Sequence, residues 1–142
     1  PFADFLLARP AGTQDLWQAR LYLLKPLIRF ALSALWLVSG LIGLFLPVED
    51  FLPLFAQSGL SENLIVAIAR IGGVADLALG VALLLNLRPR QTGIAQLALV
   101  LAYTVGLTVV TPAEWLAPFG GLLKNIAILP LILAHLALTE ER

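Results

Sequence analysis

Few residues in this sequence have side chains that could do chemistry, and the most telling is Asp76. It stands with Arg70 inside the otherwise apolar stretch from Leu64 to Leu87. If that stretch crosses a membrane, a carboxylate there costs about 2.5–3.5 kcal/mol on insertion scales, so it needs either a partner or a task. Ala69, Gly73, Asp76 and Gly80 fall on one helical stripe, a small-residue face that lets a second helix approach. Arg70 is offset from Asp76 by about 120° around the helix, so the two do not stack as an i,i+4 pair. Each then needs a partner from another helix. Counting depth at about 1.5 Å per residue places Tyr103 level with Asp76, with Gln96 two turns away on the same face and Trp36 and Gly40 close by. Arg70 and Lys124 come out nearer the outer surface, where Glu49, Asp50, Glu62 and Glu114 can neutralise them. Two readings fit. One is a polar pocket centred on Asp76 and opening outward between helices, which holds a quinone or lipid head group or passes a proton. The other makes Asp76 and Tyr103 interhelical glue.

The remaining polar candidates also divide. Lys124 can bind an anionic head group and Asn125 a carbonyl. Alternatively, Lys124 snorkels to the surface and Asn125 bonds a neighbouring backbone. The single histidine, His135, is expected at the inner interface without a catalytic role. Pro130 is expected to kink its helix and free the carbonyl of Ile126. Trp17, Trp115 and Phe119 read as interfacial anchors.

Composition narrows the class. Of 142 residues, 60% are hydrophobic and 13% charged, against about half and a quarter in soluble domains, so lipid must cover the excess apolar surface. Nine basic and nine acidic residues balance, which leaves no basic footprint for nucleic acid. With no cysteine and one histidine, thiolate chemistry, Cys-based clusters and bis-His haem ligation are excluded for this chain alone. No signal peptide is visible. The chain begins at Pro1 and has no methionine, so either an initiator was removed or this is a piece of a longer polypeptide.

The elements that position these residues follow from the apolar runs. The expected architecture is an all-α bundle of four membrane-crossing helices, at about 27–47, 64–87, 92–111 and 120–138, with short interfacial helices. Residues 1–25 form an N-terminal cytoplasmic or interfacial segment, and 26–142 the membrane domain. Thr13 is a candidate cap for a surface helix bearing Leu16, Trp17, Leu21 and Tyr22. Thr111-Pro112-Ala113-Glu114 reads as a capping box opening a short helix, and Pro118-Phe119-Gly120-Gly121 as the turn back into the membrane. Arg9, Arg20, Lys25, Arg29, Arg88, Arg90 and Arg142 all fall on one side of this topology, and the two loops on the other side hold only acids. The positive-inside rule therefore places both termini in the cytoplasm of a multi-pass cell-membrane protein.

The stretch DLWQARLYLLKPLIRFALSALWLVSGLIGLF, followed by VADLALGVALLL, QLALVLAYTVGLT and APFGGLLKNIAILPLIL, resembles the DoxX-like membrane family over roughly residues 15 to 139. The nearest likeness is to the C-terminal membrane domain of fusions with an NAD(P)-binding short-chain dehydrogenase-like domain. The resemblance implies a four-helix membrane domain, association with redox partners or quinone-linked enzymes, and no transferable catalytic residues. No Gly-rich dinucleotide fingerprint occurs here, so an NAD(P)-binding domain would lie upstream.

Three functions are compatible with these residues. The first is an accessory or anchoring membrane subunit for an oxidoreductase or larger complex, without catalytic activity or a bound cofactor of its own, presenting a quinone or lipid. The second is a small transporter or proton-conducting protein, suggested by Asp76, Arg70 and Lys124. The third, an enzyme acting on a lipid-like substrate, is weakest, because no nucleophile–base pair or carboxylate pair can be assembled. Stripes such as Ser33, Gly40 and Gly43 are expected to pack against another subunit as well as internally. The topology is testable by thiol labelling in intact cells. Ser58→Cys should react with an impermeant reagent from outside and Gln91→Cys should not, and reaction of both from one side would refute it.

Overall fold

The computed structural model describes residues 12–116 and 121–139, all helices and connections with no strand among them. Among the described residues five α-helices follow in order: α1 (Thr13–Phe45), α2 (Val48–Phe51), α3 (Glu62–Leu84), α4 (Pro89–Val110) and α5 (Lys124–Thr139), with 3₁₀ turns at Leu52–Phe55 and Pro112–Trp115. Three of them, α1, α3 and α4, are long and apolar enough to cross a membrane; α5, with 16 residues, is shorter.

The expected surface helix and first crossing are one continuous element of 33 residues. At 1.5 Å per residue it measures about 50 Å, well beyond a hydrocarbon core of about 30 Å. It starts one residue earlier than Thr13 capping would require. Gly12 is the N-cap, and its amide donates to the Asp15 carboxylate at 2.8 Å, placing an acid on the positive end of the helix dipole. Pro26 sits inside without ending the helix. Leu46, forced out of helical geometry by Pro47, ends it. The turn from α3 to α4 is tight because Asn86 and Arg88 both take positive φ, and Pro89 then opens α4 at a position where no amide is needed.

The capping box does not form. The Thr111 hydroxyl donates back to the Leu107 carbonyl at 3.2 Å, and Pro112–Trp115 is a 3₁₀ turn with no side-chain cap. A threonine that follows a helix can satisfy the carbonyl behind it as readily as the amides ahead. The turn expected at Pro118–Gly121 lies mostly outside the described residues, as does Phe119.

Packing is uneven. The most extensive interhelix contact is between α1 and α3, followed by α4 with α5, while α3 and α4 touch only sparsely although a short turn joins them. The reason lies in the glycines. A Cβ at Gly73 would stand 2.9 Å from the Gly43 carbonyl carbon and the Leu44 amide nitrogen, so α1 and α3 meet backbone against backbone. Ser33, Gly40 and Gly43, three small residues expected to serve another subunit too, all face α3. Ser33 donates to the Gly80 carbonyl at 2.8 Å, and the two glycines lie against Gly73. The hydrophobic core, formed by Ile28, Leu32, Trp36, Leu83, Val100 and Ile132, joins α1, α3, α4 and α5. Between α3 and α4, by contrast, a cleft lined by Ala75, Ala78, Ala82, Ala95, Ala98 and Ala102 remains.

A glycine pair of substitutions tests this packing. Gly73→Ala forces two backbones apart and should cost about 1–3 kcal/mol of stability in detergent. Gly106→Ala meets nothing within 4 Å and should be near neutral. Equal effects in a denaturation series would contradict the close approach.

Candidate functional site

Asp76 lies on the buried stripe of α3, only 3% exposed, between Gly73 and Gly80. Its carboxylate gathers three helices. Ser39 of α1 donates its hydroxyl to Oδ2 at 2.5 Å, and Tyr103 of α4 donates to Oδ1 at 2.8 Å. The level match between Asp76 and Tyr103 read from the sequence is thus realised as a direct hydrogen bond. Ser39 was not among the residues singled out. The signal was present, however, because it lies one turn beyond Trp36 and next to Gly40, on the α1 face that meets α3.

One empty position makes this geometry work. A Cβ at Gly72 would stand 2.8 Å from the Tyr103 hydroxyl. Gly72 is one turn before Asp76, and only the missing side chain leaves room for the tyrosine to lie across α3 and reach the carboxylate.

The trio forms the polar base of a cavity of about 480 Å³. Its walls come from α1, α3 and α4, and Phe51, Phe55 and Leu60 of the connection between α1 and α3 lie at the far end. A cavity of this size, apolar except for a few convergent polar groups, has the form of a small-molecule site. Among the described residues no group of three or more His, Asp or Glu side chains is gathered that could hold a metal ion.

The other sequence candidates take separate places. Arg70 does not join the base of the cavity. Its guanidinium donates to the carbonyls of Gly43 and Leu46, each at 3.0 Å, and lies 5.8 Å from the Phe51 ring centroid. It thereby closes the end of α1, where unpaired carbonyls and the negative pole of the helix attract a cation. Gln96 does not line the cavity. It is fully buried and accepts from the Trp36 indole at 2.9 Å. Asn125 donates to the Thr104 hydroxyl at 2.8 Å, tying α5 to α4, and Lys124 is exposed beside it. Trp17 is exposed, whereas Trp115 is half-buried and donates to the Thr108 hydroxyl at 2.9 Å. His135, expected at an interface, is instead 1% exposed within the bundle, and neither ring nitrogen has a hydrogen-bond partner. Its distance from the end of the chain suggested an interface, but it lies one turn after the core residue Ile132 and follows that residue inward.

Comparison with known protein families finds a match to the DoxX-like family over residues 33–133, which takes in α3, α4 and most of the apolar part of α1. No curated protein and no solved structure matches the chain. On the extent of that match, and with three helices able to cross a bilayer, the chain belongs to the DoxX-like family and is a membrane protein in contact with lipid.

Proposed function

We propose that this chain is a DoxX-like membrane subunit or anchor domain that holds one amphipathic molecule, a quinone or a lipid, and works with an oxidoreductase or a larger membrane complex. The observation that carries the reading is the cavity of about 480 Å³ whose only polar groups converge at Asp76. Apolar walls suit a hydrocarbon or isoprenoid chain, and the trio suits one head group. On this reading chemistry on the occupant falls to a partner. Such a partner is another membrane subunit or an upstream NAD(P)-binding domain, as in the fusion proteins the sequence resembles.

On this reading α5 supplies the fourth crossing, its 16 residues extended by the turn at Gly121–Leu123. Residues 1–25 are the cytoplasmic or interfacial segment and 26–142 the membrane domain, with both termini cytoplasmic in the cell membrane. The grouping of basic residues on one side supports this orientation. The second reading, a proton-conducting protein, draws on two further buried polar groups in the bundle, Gln96 and His135. Proton flux into liposomes that hold the purified chain would favour that reading over the first.

Filling the cavity tests the first reading without touching the trio. Gly106 lines the cavity and has open space at its Cβ. Gly106→Leu should leave the melting temperature within a few degrees and strip the co-purifying quinone or lipid, read by mass spectrometry of the extract. Retention of the same molecule at the same occupancy would place it elsewhere and refute the site. Asp76→Leu should lose both the occupant and about 0.6–1.7 kcal/mol of stability, the range of interhelical hydrogen bonds in membranes.

The partnership is tested separately. Native mass measurement of the complex from its own membranes should exceed the 15.3 kDa of the chain by the mass of another protein. A mass of the lone chain would remove the accessory role.

A further inference from the structure

The Asp76 trio can be read as a count of hydrogens. Ser39 Oγ and Tyr103 Oη stand 2.5 and 2.8 Å from the two oxygens of one carboxylate. Both bonds run from a hydroxyl to a carboxylate oxygen, and a carboxylate accepts at about four lone-pair positions. Each hydroxyl therefore gives its single hydrogen to Asp76, and none is left for the cavity. What faces the cavity is a set of lone pairs: two unused ones on the carboxylate and those on the two hydroxyl oxygens. Arg70, the cation on the same helix, does not alter the count, because its guanidinium sits on the carbonyls of Gly43 and Leu46 and is not part of the cavity lining. The rest of the lining is apolar.

Resting on the reading that this cavity holds one amphipathic molecule, we propose that its occupant carries a hydroxyl head group that donates a hydrogen bond to the trio. The class is a long-chain alcohol or phenol, and for a quinoid lipid the hydroquinone rather than the quinone. A donated hydroxyl gives the buried carboxylate a third bond, which a charge in hydrocarbon needs. A head group that only accepts, such as a ketone, ester or quinone carbonyl, sets lone pair against lone pair and leaves both sides unsatisfied.

The count also says how to reverse the preference. In Asp76→Asn the amide oxygen still accepts from one hydroxyl, but the amide nitrogen now donates to the other. That second hydroxyl has its hydrogen free, and the amide keeps one more. The base of the cavity then presents donors, and the carbonyl compound becomes the better occupant.

The experiment places the full chain in detergent micelles with equal concentrations of 4-nonylphenol and 4-nonylacetophenone and reads bound mass by native mass spectrometry. The wild-type chain should favour the phenol by about tenfold, the scale of one buried hydrogen bond. Asp76→Asn should favour the ketone. Equal binding of both by the wild type, or an unchanged ratio in Asp76→Asn, overturns the donor rule while the cavity reading stands. Binding of neither compound overturns the cavity reading and this inference with it. If Asp76→Asn does not fold, Ser39→Ala decides. It removes a hydroxyl, leaves the carboxylate one more free lone pair, and should keep the phenol preference; a swing to the ketone counts against the proposal.

Discussion

A carboxylate placed among apolar helices must be given hydrogen-bond donors, and the arrangement of this bundle follows from how Asp76 obtains them. Two hydroxyls, one from α1 and one from α4, converge on it. For Ser39 to reach, α1 must lie against α3 with nothing between them, and Gly40, Gly43 and Gly73 allow that approach. For Tyr103 to reach, α3 must present no side chain at position 72, and Gly72 supplies that gap. The glycines are therefore part of the polar site as much as of the packing. Each interhelical bond contributes about 0.6 kcal/mol on average in membranes, so their weight lies more in geometry than in stability.

The charged residues divide by what they can find. Arg70 lies at the level where α1 ends, and a helix end offers carbonyls that no amide will claim. Asp76 lies deeper, where backbone groups are already paired within helices and only side-chain hydroxyls remain. Two opposite charges on one helix thus serve separate functions. The arginine closes the end of a crossing, and the aspartate sets the polarity of the cavity floor.

Much of this was legible from the residues. The apolar runs located α1, α3 and α4, and the small-residue stripe predicted which face of α3 would be buried. Depth counting brought Tyr103 to Asp76, because two straight antiparallel helices joined by a short turn stay in register over their length. What escaped shares a physical cause. Arg70 was matched with acids, whereas its partners are main-chain carbonyls, which every sequence contains and none advertises. Ser39 is small and sits among small residues, so nothing marked it as a donor rather than a spacer. The Thr111 capping pattern failed because a hydroxyl after a helix can turn backward as easily as forward. His135 was placed by its distance along the chain, when the periodicity from Ile132 decides its side.

The unequal contact between helices also fixes where the cavity can yield. On the α1–α3 side, main chain rests on main chain, and any narrowing or widening there would mean pulling apart two backbones already at contact distance. On the α4 side, the hydrogen-bonded tie to α3 is one tyrosine hydroxyl, beside the turn through Asn86 and Arg88 and a facing set of alanines, while the Trp36–Gln96 bond joins α4 to α1. The compliance of the chamber is thus concentrated in one wall. On the proposed reading, an occupant of greater girth would press on the α4 wall before it parted α1 from α3. Asp76 and Ser39 stand on the two helices in backbone contact, and Tyr103 alone of the trio belongs to the looser wall.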